Sequence, residues 1–128
     1  MNIGMDLHGT ADRFPTFFAT LSRLWKLEGC GKVYIITAYC HSEERVIREC
    51  TQAGIMFDEI IRTDTISANP ADRARLIEEL DIAVMFDDRP EYNAHFPKSC
   101  LTFQVRHHIN FDFANKKWLL PKEFVETQ

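Results

Sequence analysis

Three short apolar runs in this sequence stop at residues able to handle a phosphate or a metal ion. Asn2 to Met5 runs into Asp6, Val33 to Ile36 into Thr37, and Ile82 to Phe86 into the pair Asp87 and Asp88. Carboxylates gathered in one place repel and raise one another's pKa unless a cation holds them, and hard oxygen ligands of this kind favour magnesium. An Mg2+ ion so held would orient a phosphate and let an anionic carboxylate approach an anionic phosphoryl group. Phosphoryl chemistry follows, provided that the fold brings the three run ends together. A single Asp after a strand is commonly just a strand terminator or a helix cap; the coincidence of three is what points to a site.

The elements between these ends supply that condition. The polar stretch from Leu7 to Arg13 leads into a helix in which Phe14, Phe17, Phe18, Leu21, Leu24 and Trp25 recur at three and four residues, and Gly29 with Gly31 closes it. Val33 to Ile36 is continuously apolar, as in a strand buried on both faces. Ser42 reads as the N-cap of a second helix with Val46, Ile47, Cys50 and Ala53 inward, closed by Gly54. Glu59 to Arg62 reads as a weaker edge strand. Asn69 and Pro70 open a third helix with Leu76, Ile77 and Leu80 inward. A short helix around Tyr92 to His95 and a fifth apolar run from Cys100 to Val105 follow. Strands alternating with helices predict an α/β fold: a three-layer α/β/α Rossmann-like sandwich around a mainly parallel five-stranded sheet. In such sheets ligands bind beyond the carboxyl ends of the strands, and Asp6, Thr37, Asp87 and Asp88 would share that rim.

Composition narrows the alternatives. The chain has 128 residues, 45% of them hydrophobic, enough for one ordinary core, so one domain is expected: a core over about 1–105 and a C-terminal tail, 106–128, whose Phe111, Phe113, Trp118, Leu119 and Leu120 pack onto it. A net charge of −4 argues against extended nucleic-acid binding or attraction to anionic membrane. No apolar run reaches the roughly 18 residues of a membrane span and no secretory signal is visible, so a cytoplasmic protein is expected. The cysteines Cys30, Cys40, Cys50 and Cys100 form no CxxC pair, which suits reduced, mostly buried thiols. A zinc site from Cys40, His41, His107 and His108 would match no familiar ligand spacing.

The run Asp6-Leu7-His8-Gly9-Thr10 resembles the first motif of the haloacid dehalogenase superfamily, Asp-X-Asp-Gly-Thr after a first strand. Val33 to Thr37 resembles its second motif, and Ile82 to Asp88 its fourth, with Asp87-Asp88-Arg89-Pro90 especially similar to the deoxyribonucleotidase-like branch. The resemblance covers about the first 105 residues. It implies a nucleophilic Asp6 that forms an aspartyl-phosphate and a Thr37 that hydrogen-bonds a phosphoryl oxygen. Magnesium would be held by Asp6, the backbone carbonyl of His8 and Asp88, with Asp87 in support. Gly9 would let the chain turn close to the phosphate, and Thr10, Ala38 and Tyr39 would line the substrate site with it.

Two positions depart from the family pattern. His8 stands where the phosphatases carry the Asp that protonates the leaving group and then activates water; imidazole can do both jobs near neutral pH. Between Thr37 and Asp87 there is no lysine for the third motif, so Arg73 or Arg75 must serve, with Arg73 preferred as nearer the helix start. Neither interval that hosts a cap domain in this superfamily is long enough for one here. The expected partner is a phosphorylated small molecule or nucleotide in an open site, coverable by the tail or by a neighbouring subunit of a homo-oligomer. The activity so implied is a magnesium-dependent phosphohydrolase; the alternative is a catalytically impaired relative with a binding or regulatory role.

Overall fold

The computed structural model describes residues 1–38, 42–63 and 70–106. Five strands, β1 (Asn2–Met5), β2 (Val33–Ala38), β3 (Glu59–Thr63), β4 (Ile82–Asp87) and β5 (Leu101–Gln104), form one all-parallel sheet in the order β3-β2-β1-β4-β5. Four helices connect them: α1 (Pro15–Leu27), α2 (Glu43–Gln52), α3 (Pro70–Glu79) and the single turn α4 (Pro90–Asn93). The strand order reverses at β1, which pairs with β2 on one side and β4 on the other. This is the expected α/β sandwich, with β3 an edge strand as its weaker pattern predicted.

The alternation of side chains along each strand divides the interior into two cores. Ile3 and Met5 of β1 and Val33 and Ile35 of β2 pack with Phe18 of α1 and with Val46 and Cys50 of α2. On the other face Tyr34, Ile36, Ile82 and Met85 pack with Ile77 of α3 and Tyr92 of α4. Gly4 occupies the position on β1 that faces this second core. A Cβ there would lie 2.7 Å from Met85 Sδ and 3.2 Å from Ile82 Cδ1, so β4 side chains already fill its place.

Several helix faces are narrower than their apolar spacing predicts. Of the six apolar residues expected on the face of α1, only Phe18 is buried; Leu21 and Trp25 are half-buried, while Phe14, just before the helix, Phe17 and Leu24 are exposed. The inward stripe instead includes Ser22, whose hydroxyl accepts from the Met56 N–H at 3.0 Å and ties α1 to the segment after α2. Phe17 lies beside the sheet, edge-on to Phe86, which in turn stacks on Phe103 of β5. On α2, Ile47 is exposed. Ser42 caps α2 as its sequence predicts, accepting from the Arg45 N–H. Cys50 and Cys100 are buried free thiols, and burial pushes the Cys50 thiol up to about 12. Among the described residues no helix is long and apolar enough to cross a membrane. The tail aromatics, the cap residue Asn69 and the zinc candidates Cys40, His41, His107 and His108 lie outside the described residues.

Candidate functional site

The register of the central strands sets the site. Met5 of β1 aligns with Phe86 of β4, and Asp6 N–H donates to the Phe86 carbonyl at 2.9 Å, so the two strands end level. Asp6 and Asp87 follow side by side, both pointing to the α3 face. Asp6, Asp87 and Asp88 each offer one carboxylate oxygen such that all three atoms lie within 4.8 Å of one another.

Beyond Asp6 the chain makes a wide turn over Leu7–Ala11, closed by Ala11 N–H to the Asp6 carbonyl and Asp12 N–H to the Leu7 carbonyl. Gly9 stands in it at φ +86°, and a Cβ there would meet Asp88 Oδ2 at 2.4 Å. Glycine is needed for both reasons, a left-handed conformation and the close approach of backbone to a carboxylate. Asp12 Oδ1 accepts the Gly9 N–H at 2.8 Å and fixes the turn. Thr10, fully buried, places its hydroxyl 3.4 Å from both Asp6 Oδ2 and Asp88 Oδ1.

From α3, Arg73 reaches the acids. Its Nη1 donates to Asp87 Oδ2 at 2.5 Å and to Asp6 Oδ1 at 3.3 Å, and its guanidinium stacks 4.3 Å above the Tyr92 ring. With 2% of its surface exposed, Arg73 holds the acids in place and has little surface for a substrate. Arg75, two residues on, points away: its side chain is exposed and paired with Asp72. Helical spacing separates the two, because Arg73 lies one turn before buried Ile77 on the inward stripe. Asp87 is fully engaged: its second oxygen accepts the Arg89 N–H at 3.1 Å, and its carbonyl accepts from Val105 N–H and Asn93 Nδ2.

Electrostatics leave the cluster short of positive charge. Burial, and then the Asp87 carboxylate, push the Asp6 carboxyl well above the usual range, and Arg73 offsets this only in part. Asp87 is raised as well, by burial against the opposing pull of Arg73 and the Arg89 N–H. Three acids gathered about the Arg73 guanidinium are a hard-oxygen donor set that suits a divalent cation. One oxygen from each acid already lies within 4.8 Å of the other two, a convergence that a small hard cation can draw together. The donor set therefore fits the ion.

Thr37, expected to end its strand, lies inside β2, which runs on to Ala38; it is buried at the same rim. Its Oγ1 is 3.5 Å from His8 Nδ1, and His8 Nε2 is 2.9 Å from Glu49 Oε2 on α2. Burial works against the Glu49 carboxylate, yet the contacts with His8 and Arg45 bring it below its ordinary value. Beside this pair, a groove of about 690 Å³ between α1 and α2 is lined by His8, Asp12, Thr16, Thr20, Arg23 and Glu49. Tyr39 lies outside the described residues. Sequence reasoning missed Asp12, Tyr92 and Glu49. Asp12 sits in a loop and Glu49 on a helix rich in charge, so neither carried a signal; Tyr92 was one aromatic in a short helix.

The fold and the rim together define a parallel α/β protein with an acidic, arginine-buttressed centre at its topological switch point. No protein-family model, curated protein or solved structure matches the chain.

Proposed function

We propose that this rim is the active centre of a magnesium-dependent phosphohydrolase of the haloacid dehalogenase type, a phosphomonoesterase or nucleotidase acting through an aspartyl-phosphate. The observation that carries the reading is the single cluster of Asp6, Asp87 and Asp88 with Arg73 bonded to two of them. Asp6 is the nucleophile: its carboxylate oxygen attacks phosphorus as the bond to the leaving oxygen breaks. His8, entering as the imidazolium, gives that oxygen the proton on its site-facing nitrogen, then takes one from the water that attacks phosphorus and frees Asp6. Thr37 binds a phosphoryl oxygen, and Arg73 holds Asp6 and Asp87 side by side and favours their ionised forms. Asp6, Asp88 and the His8 carbonyl would hold the ion, with Asp87, its oxygens committed to Arg73 and Arg89, bracing them. When bound, the ion neutralises the phosphoryl oxygens and so lowers the cost of anionic attack.

A second reading is a protein that keeps the scaffold but binds a phosphorylated ligand without turnover. One observation favours it: the His8 ring is hydrogen-bonded to Glu49 on α2, away from the acids. Phosphate release from a panel of nucleotides and small phosphomonoesters, with and without Mg2+, separates the two. Turnover that Asp6→Asn abolishes supports the hydrolase. An inert wild type that gains turnover as His8→Asp supports the binding protein, and inertness of every variant removes the catalytic assignment.

A further inference from the structure

From the loop after β1, His8 reaches across to Glu49 on α2. Glu49 is held at one oxygen by Arg45, one turn earlier on α2, whose Nε donates to Oε1 at 3.2 Å. Its other oxygen faces His8 Nε2 at 2.9 Å. An ionised carboxylate can only accept, so the proton in that bond belongs to Nε2. The opposite ring nitrogen, Nδ1, is then the one that faces Thr37 Oγ1, at 3.5 Å and on the rim. Glu49 and Arg73 thus approach the carboxyl edge from opposite helix layers, one to the histidine and one to the acids.

We infer that Glu49 is the positioning residue of His8: its carboxylate anchors the ring in the Nε2–H tautomer and turns Nδ1 toward the Thr37 side of the rim. A half-exposed imidazole without such an anchor reorients on the picosecond to nanosecond scale and samples both tautomers. With the anchor, one nitrogen is committed to the protein and the other to the site, as in metal and acid–base centres where an outer carboxylate fixes a histidine. The catalytic consequence rests on the phosphohydrolase reading; the tautomer does not, since it belongs to the protein whether or not it turns over a phosphate.

The test uses full-length protein labelled with 15N-histidine, with the His8 resonances assigned by their loss in His8→Gln. Ring spectra of the neutral imidazole read directly which nitrogen carries the proton. Wild type is expected to show one Nε2–H form with a protected proton, and Glu49→Ala to show exchange between tautomers. Alanine favours helix and Glu49 is only part-buried, so the variant keeps its fold. Glu49→Gln, which retains an acceptor oxygen, should recover part of the wild-type spectrum. In phosphate release, Glu49→Ala should lower kcat about tenfold with KM changed less than about twofold, the size of effect that loss of an outer partner has on a positioned histidine. An Nδ1–H or averaging ring in wild type, or a spectrum that Glu49→Ala leaves unchanged, overturns the assignment. An anchored ring in a protein that releases no phosphate supports the assignment and counts against the phosphohydrolase reading alone.

Discussion

Arg73 and Asp87 form an ion pair almost wholly withdrawn from solvent, at 2% and 0% side-chain exposure, with the Arg73 Nη1 to Asp87 Oδ2 distance 2.5 Å. Such a pair is weak evidence for stability in itself, because both charges are stripped of water, but breaking it leaves a buried charge without a partner. Here the loss would be worse than usual, since Asp6 and Asp88 stand beside Asp87.

Replacing Arg73 by Leu is therefore expected to destabilise the protein by about 3–5 kcal/mol, read as a lower urea midpoint. Millimolar Mg2+ should restore part of the loss, because a cation at the rim replaces the missing charge. Arg73→Lys should fall between the two, as it keeps the charge and gives up the planar stack on Tyr92.

Arg75 is the control. Exposed and paired along its own helix with Asp72, it should tolerate Ala within about 0.5 kcal/mol and with unchanged phosphate release. If Arg75→Ala abolished turnover while Arg73→Lys did not, the assignment of the buried arginine to the site would be wrong.

The raised carboxyl of Asp6 has a definite sign in stability. A folded-state pKa above the unfolded one means that the native protein holds the proton more tightly, so this group's contribution is present at low pH and is lost as pH climbs above the ordinary carboxylate value of about 4. Asp6→Asn should therefore be the more stable protein at pH 7 without divalent ions, read as a higher Tm. Its advantage should shrink toward pH 4 and, at neutral pH, on adding Mg2+. Thermal melts across pH with and without the metal check all three, and a difference that stays flat with pH would exclude a charge effect.

Gly9→Ala tests the turn. The new Cβ meets Asp88 and the backbone is left-handed, so about 1–2 kcal/mol of stability should go to strain. The larger effect should be on Mg2+ affinity, weakened at least about tenfold by displacement of a ligand oxygen. Titration calorimetry that finds the affinity unchanged would remove Asp88 from the ligand set.

Much of this architecture is legible in the sequence for a simple reason. Parallel strands buried on both faces leave continuous apolar runs, and their polar ends must fall on one rim, so Asp6, Thr37 and Asp87 could be grouped before any coordinates. Arg73 was also within reach, because Ile77 and Leu80 define a stripe that excludes Arg75. Helix faces were less legible. The phenylalanines of α1 recur at helical spacing, but only Phe18 meets the sheet squarely, and a buried Ser22 that bonds a distant backbone amide has no periodic signature. Glu49 was invisible for the converse reason: one acid among Glu43, Glu44 and Arg45 looks like solvated surface until β2 and the first loop carry His8 to it.

The strand order also bears on how the protein is made. β1 leaves the ribosome before any of its partners, and β4, which pairs with it, is separated from it by most of the described chain. The seam between β1 and β4 is thus a high-contact-order closure, slow to form by its loop entropy. Asp6 lies on one side of that seam and Asp87 and Asp88 on the other, so nascent chains meet their mutual repulsion only at the step that completes the sheet. A cation that bridged Asp6 and Asp88 would act as a clasp on this seam, slowing its opening in the mature protein far more than it hastened its first closing.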